Sequence, residues 1–170
     1  MKNKKIKFLI RPPRMSDLDS CLKMINSLVE ERAMLTIQKK LTRREEKSYF
    51  EKILNSKNSI HLFLIIDGEV MGNARMDMGS KTKSHIGELG ISLKKEARGL
   101  GLGEKLFKEI IKAGVKKFKP RIITLDVHAK NKIARNLYEK TGFKKIGTIK
   151  GGTQYYGKYD DIVMMVKYLD

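Results

Sequence analysis

The chain has 170 residues, 41% hydrophobic and 33% charged, which fits one soluble globular domain spanning 1–170 and excludes a disordered chain. Its 37 Lys and Arg against 19 Asp and Glu give a formal net charge of +18, a field that draws in polyanions and repels polycations. A lone cysteine, Cys21, excludes a disulfide framework, and no stretch approaches the ~20 apolar residues of a membrane span. The basic residues are scattered, as in Lys94-Lys95, Lys116-Lys117 and Lys144-Lys145, so they read as a solvated lysine-rich surface, with nucleic-acid binding as the rival reading. Met1 to Ile10 is basic, but its only apolar run is Phe8-Leu9-Ile10, too short for a signal core, and a cytoplasmic protein is expected.

Lys7 to Arg11 reads as a first strand stopped by Pro12-Pro13. Ser16 and Asp19 have capping-box spacing for a first helix ending near Glu31, with Leu18, Cys21, Leu22, Ile25, Leu28 and Val29 on one stripe. Cys21 on that stripe reads as a small buried hydrophobe. After a loop, Thr42 and Glu45 repeat the cap signature ahead of Tyr49, Phe50, Ile53 and Leu54. Ile60 to Ile66 and Val70 to Met78 are strands joined by the hairpin dipeptide Asp67-Gly68, and His85 to Leu93 is a third. A helix follows from Gly103 to about Lys117, burying Leu106, Phe107, Ile110, Ile111 and Phe118. Ile122 to Val127 is apolar enough for a strand covered on both faces. Asn131 to Thr141 is a helix closed by Gly142, and Phe143 to Ile149 and Asp161 to Tyr168 are final strands around a loop holding Tyr155-Tyr156. This order describes an α/β fold: a mixed, mostly antiparallel sheet of about seven strands with helices on both faces.

Between the third of those strands and its helix lies Arg98-Gly99-Leu100-Gly101-Leu102-Gly103-Glu104. Alternating glycines let the backbone turn tightly with its N–H groups bare, and the helix N-terminus behind them adds free amides, a geometry suited to pyrophosphate. A Walker-type loop needs Lys-Ser or Lys-Thr after its last glycine, where this chain has Glu104-Lys105-Leu106; the dinucleotide fingerprint Gly-x-Gly-x-x-Gly also fails. The pattern that remains resembles the acetyl-CoA loop of the GNAT family of N-acetyltransferases, Gln/Arg-x-x-Gly-x-Gly/Ala, with Arg98, Gly101 and Gly103 in its slots. Asn131-x-x-Ala134-x-x-Leu137-Tyr138 ending in Gly142-Phe143 is similar to that family's helix beside the cofactor thiol, so the resemblance covers almost the whole chain.

The resemblance implies acetyl-CoA as co-substrate. Ile91, Ser92 and Leu93 would offer backbone groups to the pantetheine, and Arg98, Gly99, Leu100, Gly101, Leu102, Gly103 and Glu104 would hold the pyrophosphate. Arg98 is either a phosphate contact or only a charge at the loop. Acetyl transfer needs a base, because an alkyl ammonium titrates near ~10, and an acid for the leaving thiolate. Glu88 alternates with Gly90 and Ser92 on one strand face and is the candidate base; a surface Glu paired with lysine is the other reading. Tyr138, two turns after Asn131, matches the family's usual acid. Asn131 either orients the cofactor arm or caps the helix. His128 is an alternative base or a solvated loop histidine, and His61 and His85 lack the cluster a metal site requires.

The expected enzyme is an N-acetyltransferase working by direct attack of a primary amine on the thioester, as a monomer or homodimer with a strand edge at its last strand. In the family the acceptor is held by the loop between the first two helices, here about Arg32 to Leu41, and by the last hairpin, here Gly151 to Asp160. The net charge argues against polyamines unless a local acidic patch, such as Glu30-Glu31 with Glu45-Glu46, reverses the field.

Overall fold

The structure, a computed structural model, describes residues 6–169; residues 1–5 of the basic N-terminal segment and residue 170 lie outside it. Its strands are β1 (Phe8–Arg11), β2 (Ser59–Ile66), β3 (Glu69–Met78), β4 (Ile86–Leu93), β5 (Ile122–His128), β6 (Lys144–Tyr155) and β7 (Lys158–Tyr168). They form one sheet in the order β1-β2-β3-β4-β5-β7-β6, in which β4 and β5 alone run parallel. Helices α1 (Leu18–Glu30) and α2 (Arg43–Leu54) cover one face, and α3 (Leu102–Phe118) and α4 (Lys132–Lys140) the other. Among the described residues no helix is long and apolar enough to cross a membrane.

Local chemistry explains most of these boundaries. Thr42 caps α2 with the expected box: Glu45 N–H donates to its Oγ1 at 3.3 Å, and Thr42 N–H donates to Glu45 Oε2 at 2.7 Å. Asp67 and Gly68 both take positive φ, 49° and 82°, as the tightest hairpin turn requires. The start of α1 differs from expectation. Asp17, not Ser16 or Asp19, organises it: its carboxylate accepts the Arg14 N–H at 2.7 Å and two Arg11 guanidinium bonds at 2.7 and 2.8 Å. Asp19 instead pairs with Arg43 on α2 at 2.7 Å.

The end of the chain also departs from the expected pattern. The segment read as a loop around Tyr155-Tyr156 is a long hairpin, with β6 running to Tyr155 and β7 resuming at Lys158. β7 lies inside the sheet between β5 and β6, so the edge falls to β6, not to the last strand.

Two features of the sheet prepare a site. A register shift between Leu64 and Ile65, where Leu64 faces Gly72 and Ile65 faces Val70, inserts Met71 as an extra residue in β3. The bulge switches faces, so Val70 packs under α1 whereas Ala74 and Met76 pack under α3. Asn73, Arg75 and Asp77 are thereby turned toward the α1–α2 side. Second, β4 and β5 pair over only three positions, Ile86 with Ile122, Gly87 with Ile123 and Glu88 with Thr124. Beyond Glu88 the strands part, and backbone groups of β4 that would bond to a neighbour face an open wedge.

Candidate active site

The wedge opens into a cleft of about 1400 Å³, larger than a single small-molecule site and roomy enough for two substrates. Ile91, Ser92 and Leu93 line it at the separated end of β4, and Ser92 is held by a 2.8 Å bond from its Oγ to Asn73 Oδ1. Gly90 leaves room for the Arg75 side chain of β3: a Cβ there would come within 3.2 Å of its Nε.

The glycine loop closes one end of the cleft. Gly99 and Gly101 have φ of 73° and 72°, conformations that side chains disfavour, and a Cβ on either would meet nothing within 4 Å. Their requirement is therefore conformational rather than steric. The first helical bond of α3 runs from Lys105 N–H to the Gly101 carbonyl at 3.3 Å. Leu102, Gly103 and Glu104 precede it, so their amides are free for an anion at the positive end of the helix. Arg98 braces the loop instead of facing the amides. Its guanidinium donates to the Leu93 carbonyl at 3.0 and 2.8 Å and pairs with Glu31 at the end of α1.

On the opposite wall α4 brings Asn131 and Tyr138 to the cleft. Asn131 is the helix cap, its Oδ1 accepting from Ala134 N–H at 3.1 Å. Tyr138 is 7% exposed between the rings of Phe107 and Phe143, with centroids 5.0 and 6.3 Å away. Burial pushes its hydroxyl up to about 12, so it keeps its proton at neutral pH.

The third wall is polar and belongs to β3, β4 and β5. Glu88 faces the cleft with a largely exposed side chain whose cation, Arg75, stands 3.8 Å away and also pairs with Asp77. Asp126, which the sequence reading missed, lies beside it: desolvation, then repulsion from Glu88, raises its pKa above the ordinary carboxylate value. The signal for it was a charged residue inside a run read as covered on both faces; the separation of the strands supplies the exposed face. His128 is the last residue of β5, not a solvated loop residue. Its side chain is 11% exposed and its Nδ1 lies 3.0 Å from Asp160 Oδ2 on β7, with the Tyr155 ring edge-on at 5.3 Å. His61 lines the same cleft, whereas His85 lies at the far end of β4; among the described residues no His, Cys, Asp and Glu side chains gather as a metal-ligand group.

The two segments expected to face the acceptor meet over the cleft. Tyr155 hydroxyl donates to the Arg32 carbonyl, Tyr156 N–H donates to Gln38 Oε1 at 2.9 Å, and Gln38 Nε2 donates to the Gln154 carbonyl at 2.8 Å. Tyr156 hydroxyl reaches the Val29 carbonyl at 3.1 Å under the Arg32 guanidinium. The hairpin tip is thus clasped to the α1–α2 loop. The acidic patch differs from the expected one, because Glu30 is paired with Lys40, Glu31 with Arg98, and Glu45 with its own cap. With Asp77 held by Arg75 and Glu104 by Lys108, the carboxylates of the cleft without a close partner are Glu46, Glu88 and Asp126.

A family model described as the acetyltransferase (GNAT) family matches residues 25–143, the span that carries the loop, the parted strands and α4. The chain belongs to the GNAT family. This GNAT chain is 26% identical to an N-alpha-acetyltransferase of Sulfurisphaera tokodaii over 93% of its own length and 91% of the relative's. A ribosomal-protein-alanine N-acetyltransferase from Brucella melitensis superposes at TM-score 0.85 and 26% identity, covering 95% of this chain and 99% of that one. A protein from Salmonella typhimurium, solved with its cofactor acetyl-CoA, shares the fold at TM-score 0.84 and 18% identity, over 96% of this chain and 94% of its own. The GNAT fold thus accounts for the seven-stranded mixed sheet with helices on both faces.

Proposed function

We propose that this protein is an acetyl-CoA-dependent N-acetyltransferase acting on a primary amine, first of all the α-amine of a peptide N-terminus or an amino acid. The observation that carries the reading is the parted β4–β5 pair, with two carboxylates on one wall and a buried, protonated Tyr138 on the other. Support for the acceptor class comes from the named relatives and from the clasp of the β6–β7 tip onto the α1–α2 loop, which leaves an enclosed approach suited to a chain end.

The residues divide the work of holding and transfer. Amides of Leu102, Gly103 and Glu104, turned outward by Gly99 and Gly101, suit the pyrophosphate, and the unpaired side of Ile91 to Leu93 suits the pantetheine amides as an added strand. Acetyl-CoA, when bound, supplies the thioester. The acceptor enters from the α1–α2 side as an ammonium and yields a proton to the Glu88–Asp126 pair, where burial and the neighbouring Glu88 carboxylate make Asp126 a better proton acceptor than an ordinary aspartate. The amine nitrogen then bonds to the carbonyl carbon, the carbon–sulfur bond breaks, Tyr138 gives its hydroxyl proton to the sulfur, and the second proton of the nitrogen restores the Tyr138 hydroxyl, so that the amide and the free thiol leave a neutral phenol behind. No covalent enzyme intermediate is required.

The test is thiol release from acetyl-CoA against peptides with free N-termini, amino acids, amino sugars and polyamines, with Tyr138→Phe alongside. Peptide-stimulated turnover in the wild type, reduced about 10²-fold or more in kcat by Tyr138→Phe with unchanged acetyl-CoA binding, is expected. Turnover undiminished by that substitution would remove Tyr138 from the mechanism.

A further inference from the structure

The buried polar groups that the transfer leaves unused gather beneath α2. Glu46 is 2% exposed, yet it lines the cleft, and its Oε1 has no hydrogen-bond partner among the described residues. On its inner side the carboxyl lies beside the Cys21 thiol of α1. Tyr49 and His61 border the same lobe, their rings edge-on at 6.1 Å. Burial brings His61 down to about 4, so the ring is neutral at physiological pH and does not oppose a cation. Ile25 and Leu28 of α1 and Leu41 of the following loop supply apolar lining on this side of the cleft.

A carboxylate oxygen taken out of water without a partner is costly, and it is retained where something else supplies the donor. Nothing in the acetyl-transfer step uses Glu46. The cations near it do not satisfy it: Arg75 is held by Asp77 and Glu88, and Lys52 on α2 is exposed. Glu46 and Asp126 are thus carboxylates of the cleft that no lysine or arginine pairs with, in a protein whose overall charge is +18. Within the ~8 Å Debye length an unpaired carboxylate acts on a bound ammonium more strongly than the distant surface charge does.

Resting on the amine-acceptor reading above, we infer that the lobe under α2 is a subsite for a second ammonium, carried by the acceptor on an aliphatic stem and bound by Glu46. Ile25, Leu28 and Leu41 cover the stem, and Glu46 Oε1 accepts a charge-assisted hydrogen bond from the ammonium. A neutral stem of the same length fills the lobe but leaves Oε1 unpaired. The same chemistry is offered by a lysine at the first position of a peptide and by a free diaminoalkane.

Steady-state acetylation distinguishes them. The probes are peptides that differ only in a first residue of lysine, norleucine or alanine, and 1,5-diaminopentane against pentylamine, with mass spectrometry locating the acetyl group. The wild type is expected to prefer the second-ammonium member of one or both pairs by roughly tenfold in kcat/KM, mostly through KM. The pair that shows the preference identifies the source. The near-isosteric Glu46→Gln is expected to remove the preference while leaving the alanine peptide and the acetyl-CoA KM unchanged. Equal kcat/KM within both pairs, or an equal loss on every acceptor in Glu46→Gln, overturns the subsite and leaves the acceptor reading standing. Thiol release stimulated by no amine at all overturns both.

Discussion

Alternate residues of β3, β4 and β5 build two unlike surfaces from the same backbone. Toward α3 they present Ala74, Met76, Leu89, Ile123, Leu125 and Val127, each buried and continuous with Leu106, Phe107 and Ile110. Toward α1 and α2 they present Asn73, Arg75, Asp77, Glu88, Asp126 and His128, all at the cleft. The apolar core on that second face is confined to the ground between α1, α2 and the β1–β2 side of the sheet. The difference shows how the fold separates its tasks. One face is packed throughout and carries stability, and the other gives up packing where β4 and β5 part and carries charged groups that a sealed core would reject.

Substitutions on the two faces should therefore fail in different ways. Phe107→Ala, under α3 and 0% exposed, should cost about 3–4 kcal/mol of stability, seen as a lowered midpoint in denaturant melts. A change below about 1 kcal/mol would mean that the packed face is not the stabilising one. Asp126→Asn should do the opposite. Its raised carboxyl favours the folded state only below the ordinary value of ~3.9, and that contribution is lost as pH rises through the folded value. At pH 7 the amide should thus melt at the same midpoint or slightly higher, while kcat falls about 10²-fold.

Gly101→Ala tests the loop, where space is open and φ alone is unfavourable. It should raise the acetyl-CoA KM roughly tenfold, from a backbone penalty of ~1–2 kcal/mol, and leave the pH profile alone. The effect confined to acid pH is expected from His61. Its folded value of about 4 lies below the unfolded ~6.5, so the stability it contributes is full above ~6.5 and is lost as pH falls toward 4. His61→Gln should flatten the pH dependence of the melting midpoint in that window; an unchanged slope would show that the ring is not buried neutral.

Much of this was legible in the chain itself. The two-residue alternation of Glu88, Gly90 and Ser92 against Leu89, Ile91 and Leu93 sorted the faces of β4, and Thr42 with Glu45 marked the start of α2. Asp126 was not legible, because Ile122 to Val127 reads as a strand covered on both sides, and only its separation from β4 uncovers one of them. His128 was misread for a related reason: its partner Asp160 is thirty-two residues away on β7, beyond anything local spacing can reveal. The hairpin tip was mistaken for a loop because a glycine-rich stretch, Gly151-Gly152, interrupts its register between Ile149 and Thr153 without ending the pairing.

The sequence by itself determined whatever depends on neighbours along the chain: helix stripes, the Thr42 cap, the Asp67-Gly68 turn, the positive-φ glycines of the loop, and Asn131 and Tyr138 two turns apart on one helix face. These follow from backbone sterics and from periods of 3.6 and 2 residues. Tertiary structure alone decided how far β4 and β5 stay paired, that the β6–β7 tip closes onto the α1–α2 loop, and that Glu46 is left buried with an unpaired oxygen. Those outcomes come from side chains distant in sequence competing for the same space and the same hydrogen bonds, and no short window of the chain contains both competitors.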